Sequence, residues 1–124
     1  MTIAYLAGPI DNCTDEECTG WRIKLAEDLA ALGIEVRDPT HQMASKIGNV
    51  EKIVRGDKQS ILESDIVIAY TPFPSVGTSM EILFAYERNR KVYVVTEREN
   101  LSPWIIYHAT KIFRSFGGLV EWLR

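Results

Sequence analysis

Residues 66–86 read IVIAYTPFPSVGTSMEILFAY. Ile66 to Tyr70 is a short, continuous apolar run rather than an alternating one, the mark of a strand buried on both faces. Two prolines and a string of small residues interrupt it, and Met80, Leu83 and Phe84 then fall at helical spacing. The stretch is therefore a strand, a loop and the start of a helix, with one carboxylate, Glu81, at that start. Thr78-x-x-Glu81 matches a capping box, which gives Glu81 a purely structural reading as an N3 glutamate. A second reading stays open beside it. N–H groups at a helix N-terminus favour anions and would keep Glu81 ionised, and Gly77 lets the backbone approach a ligand closely.

The same alternation extends in both directions. Thr2 to Gly8 (TIAYLAG) and Val92 to Val95 (VYVV) are further buried strands, Ile34 to Val36 a weaker one, and Ile112-Phe113 a short last one. Trp21, Leu25, Leu29 and Leu32 mark one face of a helix, with Thr14-x-x-Glu17 as its capping box and Gly33 as its stop. Val50, Ile53, Val54, Ile61 and Leu62 mark a second helix. Ser102-Pro103 supplies an N-cap and a first-turn proline for another, and Leu119 to Leu123 closes the chain as a terminal helix. Strands alternating with helices predict an α/β class, doubly wound. At 124 residues the chain is expected to be a single domain over residues 1–124, too short for a six-stranded dinucleotide fold. A flavodoxin-like (Rossmann-like) three-layer α/β/α arrangement fits, with a five-stranded parallel sheet of order 2-1-3-4-5. Such sheets bind ligands outside the carboxyl ends of their strands. The loops Gly8–Asn12, Asp38–Lys46 and Thr71–Ser79 are expected to meet there, with Asp38 to Gly48 as a lid.

Composition narrows the partners. The net charge is −3 and no Lys/Arg run occurs, which argues against a nucleic-acid polymer. No apolar run reaches the length of a membrane span. The N-terminus lacks the basic region and cleavage site of a signal peptide, so a cytoplasmic location is expected. Cys13 and Cys18 have no second pair at metal-site spacing and are expected to be thiols. His41 and His108 are read as scattered surface or loop histidines. No metal and no cofactor is called for: the G-x-x-x-x-G-K-[ST], G-x-G-x-x-G and G-x-S-x-G patterns are all missing from the sequence.

Two further residues could carry chemistry. On the second helix, Val50, Val54, Asp57 and Ile61 lie at i, i+4, i+7 and i+11, so Asp57 sits on an apolar stripe. Desolvation there would favour its protonated form and suit a general acid; an ion pair with Arg55 or Lys58 at the core edge is the alternative. Tyr5 lies in the first strand, where a buried hydroxyl needs a partner.

At these residues the chain resembles the nucleoside 2-deoxyribosyltransferase superfamily, in particular its nucleotide N-glycosidase branch (deoxynucleoside 5′-monophosphate N-hydrolase-like). Four features carry the likeness: Tyr5-Leu-Ala-Gly-Pro-Ile10; Asp57 eight residues before Asp65, which opens Asp65-Ile-Val-Ile-Ala-Tyr70; Ser75-Val-Gly-Thr-Ser-Met-Glu81-Ile-Leu-Phe-Ala85; and Ser102-Pro-Trp104. The resemblance implies that Glu81 is a nucleophile forming a covalent glycosyl intermediate. It makes Asp57 the acid that assists the leaving base and Tyr5 the residue that positions the nucleophile. Gly8, Pro9 and Ile10 would border base and sugar, and Asp11 and Asn12 would reach base edges or simply form the turn. Ser75 stands where the transferases tend to carry Asp, which points to a 5′-monophosphate held by Ser75, Gly77 and Ser79. Ser102 matches a serine that reaches a neighbouring subunit's phosphate, implying a homo-oligomer. Three departures stand out: Ser79 replaces the motif's second glycine, Pro9 replaces a phosphate-binding serine, and the transferases' C-terminal asparagine has no counterpart. Cleavage with water as acceptor is the leading expectation. Base exchange between nucleosides or nucleotides is its close alternative, and a non-catalytic nucleotide-binding module the alternative from another class.

Overall fold

The computed structural model describes residues 1–11, 13–39 and 49–124. Five strands alternate with five helices: β1 (Ile3–Ala7), α1 (Asp15–Ala30), β2 (Glu35–Arg37), α2 (Val50–Leu62), β3 (Ile66–Tyr70), α3 (Val76–Glu87), β4 (Lys91–Val95), α4 (Pro103–His108), β5 (Lys111–Phe113) and α5 (Phe116–Leu123). The strands form one parallel sheet in the order β2-β1-β3-β4-β5, so the expected class and strand order are both observed. The order reverses between β1 and β3, where Tyr5 stands beside Val67 and Ala7 beside Ala69.

Strand periodicity divides the core in two. Ala4, Leu6, Ile66, Ile68, Tyr93 and Val95 face α1 and α5 with Leu25, Leu29 and Leu119. Their neighbours Tyr5, Ala7, Val67, Ala69, Val92 and Val94 face the other helices with Ile61, Ile82, Ala85 and Ile105. Both faces are covered, which is why β1, β3 and β4 read as unbroken apolar runs. The period of two also fixes the side of the sheet on which Tyr5 lies.

The capping signals around α1 hold. Thr14 accepts from the Glu17 N–H while Glu17 accepts from the Thr14 N–H. At the other end Gly33 N–H donates to Ala30 O and Ile34 N–H to Leu29 O, with Gly33 at φ 77°; this is a Schellman stop that only a residue tolerant of positive φ closes cheaply. The buried face of α1 differs from the expected one. It is Cys18, Arg22, Leu25 and Leu29, one position round from the Trp21–Leu32 stripe. Trp21 is half-buried at the edge, stacked on Phe116 and tilted against Tyr70.

The start of α3 also corrects the sequence reading. Ser75, not Thr78, is the N-cap; its Oγ accepts from the Thr78 N–H at 3.4 Å. The helix begins at Val76, so Glu81 lies in its second turn. That removes the capping-box explanation for Glu81. His108 is another correction: it is buried against Tyr86, Trp104 and Tyr107, with Nδ1 donating to Trp104 O at 2.6 Å. Cys13 and Cys18 are both thiols. Among the described residues, no helix is long and apolar enough to cross a membrane, and no cluster of His, Cys, Asp and Glu has the makings of a metal site.

Candidate active site

A cleft of about 450 Å³ opens between α2, α3 and the loop after β1. It lies at the carboxyl end of β1 and β3, where the strand order reverses and helix N-termini point outward. Gly8, Ile10 and Asp11 form one rim, and Ser75, Gly77 and Thr78 another. Val50, Ile53, Val54, Asp57, Lys58 and Ile61 of α2 face Met80, Glu81 and Phe84 of α3 across it. The α2 stripe seen in the sequence is therefore real, but it borders the cleft. Ile61 is fully buried at its base while Val50 and Val54 remain exposed.

Glu81 stands within this cleft and accepts a short hydrogen bond from the Tyr5 hydroxyl. Tyr5 itself is fully buried. Burial first, and then the charges of Glu81 and Asp57, push the Tyr5 hydroxyl well above the ordinary tyrosine range, so it stays a donor. Glu81 is held ionised less firmly than expected. Burial of its carboxyl raises it from the ordinary 4.5 to about 7. The Tyr5 hydrogen bond resists that rise, nearby Asp57 adds to it, and Arg22 opposes it. The N-terminus of α3 does not hold the group fully ionised, because Glu81 lies beyond the first turn, where the terminal N–H groups end.

Asp57 shares the cleft with Glu81, and its Oδ1 is buried. Of its two expected ion partners, Arg55 reaches back to Glu51 at 3.4 Å, and Lys58 stands 5.3 Å over the Phe84 ring. Asp65 plays a structural part, with Oδ2 accepting from Ile3 N–H at 2.8 Å to fasten the start of β1.

The rim residues divide. Gly8, Ile10, Asp11, Ser75 and Gly77 line the cleft. Pro9 is buried and is not among the lining residues. Ser79 is exposed and spends its hydroxyl on Ser75 O at 2.8 Å. Ser102 is exposed, caps α4 by accepting from Trp104 N–H at 3.2 Å, and lies away from this chain's cleft. Asn12, His41 and all of the expected lid except Asp38 and Pro39 fall outside the described residues.

Two residues missed in the sequence belong here. Thr78 is buried, lines the cleft, and its Oγ1 has no partner among the described residues. Arg22 is 1% exposed on the inner face of α1. Its guanidinium donates to Gly8 O at 3.1 Å and to Cys18 O, and pairs with Asp38 at 3.6 Å. The available signal was its spacing: Arg22 lies four residues after Cys18 and three before Leu25, on the buried stripe. Gly8 has its own packing reason, since a Cβ there would stand 2.4 Å from Trp21 Cζ2. A Cβ at Gly77 would meet no described residue within 4 Å.

Chemically, the cleft offers two carboxylates, one of them hydrogen-bonded and poised near neutrality, beside apolar walls and a helix N-terminus. Two carboxyl groups in one cleft are the equipment of glycosyl transfer, one to stabilise or trap an oxocarbenium-like carbon and one to assist the leaving group.

Comparison with known proteins agrees with that chemistry. The family described as nucleoside 2-deoxyribosyltransferase matches residues 4–115. No curated protein matches the chain. Among solved structures, a 2-deoxyribosyltransferase from Bacillus psychrosaccharolyticus is 19% identical with a TM-score of 0.80, over 96% of this chain and 90% of its own. A 2-deoxyribosyltransferase from Leishmania mexicana is 19% identical, with a TM-score of 0.74 over 98% of each chain. A CMP N-glycosidase from Clostridium botulinum is 22% identical with a TM-score of 0.68, over 98% of this chain and 97% of its own. At these identities the structures share the fold. The family match spans most of the chain, and the protein therefore belongs to the nucleoside 2-deoxyribosyltransferase family, enzymes that cleave or transfer the N-glycosidic bond of nucleosides or nucleotides.

Proposed function

We propose that the protein cleaves the N-glycosidic bond of a (deoxy)ribonucleoside 5′-monophosphate through a covalent glycosyl intermediate on Glu81, with water as acceptor. The observation that carries this reading is the Tyr5–Glu81 hydrogen bond at a cleft that also holds Asp57 and Ser75. Glu81 attacks the anomeric carbon as the C–N bond breaks, the bonding electrons leaving with the base. Asp57 assists that departure at the base, and Tyr5 holds the Glu81 carboxylate in line by donating to it. Water then opens the glycosyl ester, giving a sugar 5-phosphate and freeing Glu81.

The 5′-phosphate reading has three supports. Ser75 caps a helix whose first turn lines the cleft, and a helix N-terminus is a natural anion site. Among the described residues, no atom stands within 4 Å of a Cβ placed on Gly77. Thr78 adds a buried hydroxyl still in need of a partner.

A homo-oligomer completes the proposal. Helices α3 and α4 pack together and leave Val76, Tyr86, Trp104, Ile106 and Tyr107 exposed, apolar side chains on the helices that carry Ser102 and suited to burial against a second copy. In that arrangement Ser102 would serve the neighbour's cleft.

Incubation with the four dNMPs and the four NMPs, with and without an added free base, tests the reaction. Release of base and sugar 5-phosphate is the expected result. Formation of a new nucleotide from the added base would assign transfer instead. No turnover of any nucleotide, with turnover of free nucleosides, would overturn the phosphate reading.

A further inference from the structure

We propose that Arg22 is a positioning residue for the chemistry at Glu81: its buried guanidinium pins the Gly8 turn on the cleft rim and supplies the site with a fixed positive charge. This rests on the reading of Glu81 as the nucleophile.

A cation on the inner face of a helix is costly unless its donors are used and its charge is offset. Arg22 offsets its charge and uses two of its nitrogens with groups from three segments, while its Nε makes no hydrogen bond among the described residues and lies 3.6 Å from Asp38 Oδ1. It donates to the carbonyl of Gly8 on the cleft rim and to that of Cys18 in α1, and it pairs with Asp38 after β2. One guanidinium thereby ties the loop after β1, helix α1 and the end of β2 into a single support under the cleft. Gly8 has no side chain to anchor itself, so the pull on its carbonyl helps set where the rim lies. The planar fork of Arg suits this three-way tie.

The charge reaches the reacting group. Arg22 favours the ionised forms of both Tyr5 and Glu81, working against burial and Asp57. Among the described residues, Tyr5 from β1, Asp57 from α2 and Arg22 from α1 act on the Glu81 charge, and Asp11 and Lys58 also line the cleft. Asp38 tempers the Arg22 charge from outside. Deleting Arg22 should therefore move the Glu81 midpoint up, and neutralising Asp38 should move it down.

The test is a carboxyl 13C NMR titration of glutamate-labelled protein, with the Glu81 signal assigned by its loss in Glu81→Gln. The probe needs no substrate. Arg22→Met should raise the Glu81 midpoint by about one pH unit, Arg22→Lys should return it toward wild type, and Asp38→Asn should lower it. In parallel, kcat/KM for a turned-over nucleotide should fall more than about 10-fold in Arg22→Met, mainly in kcat, with partial recovery in Arg22→Lys. An unchanged midpoint in folded Arg22→Met overturns the inference. Should Arg22→Met not fold, an unchanged midpoint in Asp38→Asn overturns it equally. If Glu81→Gln keeps full activity, the nucleophile reading fails while the titration still decides the electrostatic part.

Discussion

The Tyr5 hydroxyl donates to the Glu81 carboxylate across a sequence separation of 76 residues. The bond joins the middle of a buried strand to the second turn of a helix, and it is the most direct link between the sheet and the cleft. Tyr5→Phe removes the donor while keeping the ring that fills the core. A hydrogen bond to a charged group is worth about 1.5–3 kcal/mol, so kcat should fall about 10- to 100-fold. The Glu81 midpoint should also rise above about 7, because the bond holds it down. Steady-state kinetics across pH would show both.

Glu81 makes the fold less stable as pH rises. Its carboxyl is raised in the folded state, so the unfolded chain releases this proton first, between the ordinary 4.5 and about 7. Over that window the folded state binds more protons, and stability falls as pH increases. Below about 4.5 its contribution is full; above about 7 the penalty is complete. Glu81→Gln should remove this slope. It should be more stable than the wild type at pH 8 by about 2 kcal/mol, the residue's partial exposure trimming the full value of the shift. Urea midpoints at pH 4 and pH 8 measure it.

The two cleft glycines should respond oppositely to alanine. In Gly8→Ala the new Cβ collides with Trp21, which is held between Tyr70 and Phe116. Overpacking of this kind costs about 1–3 kcal/mol. Gly77→Ala meets no described residue within 4 Å and lies within the first turn of α3, so the fold should be unchanged or slightly more stable. Its cost should fall on KM for the nucleotide, since the methyl would occupy space the ligand needs. Denaturant melts and KM values on the same variants separate the two effects.

Ser75→Asp should leave stability nearly untouched, because Asp caps a helix as well as Ser. Placed beside a 5′-phosphate, its charge should repel. The preference for nucleoside 5′-monophosphate over free nucleoside should fall by at least about 10-fold, a cost of roughly 1.4 kcal/mol. Competition between AMP and adenosine, or the matching pair for the preferred base, reads this out.

Much of the fold was legible because its signals are local. Buried parallel strands leave unbroken apolar runs, and the caps at Thr14, Gly33 and Ser102 declare themselves within a few residues. Glu81 and Asp57 were legible as candidates for the same reason, and Ser75 only through the family resemblance. The failures have a common cause, which is that they depend on what lies across the chain. Thr78-x-x-Glu81 has the right spacing for a cap, yet the loop delivers Ser75 to that position, and nothing within four residues distinguishes the two. The ionisation of Glu81 is set by burial against the sheet and by Asp57 and Arg22 from other helices. Arg22 was passed over because an arginine on a helix reads as solvent-facing; only the register of the whole helix turns it inward. His108 was misread similarly, its pocket being built by Tyr86 of α3 together with two aromatics of its own helix.

The central claim is a glycosyl bond to Glu81. A 2-deoxy-2-fluoro-arabinonucleoside 5′-monophosphate should trap it, because fluorine beside the anomeric carbon disfavours the oxocarbenium character needed to hydrolyse the ester. Peptide mapping by mass spectrometry after incubation is the most direct measurement. The account predicts one fluoro-pentosyl phosphate adduct, on the peptide containing Glu81, with stoichiometric release of base and no adduct in Glu81→Gln. An adduct on any other residue, or undiminished base release by Glu81→Gln, would contradict it.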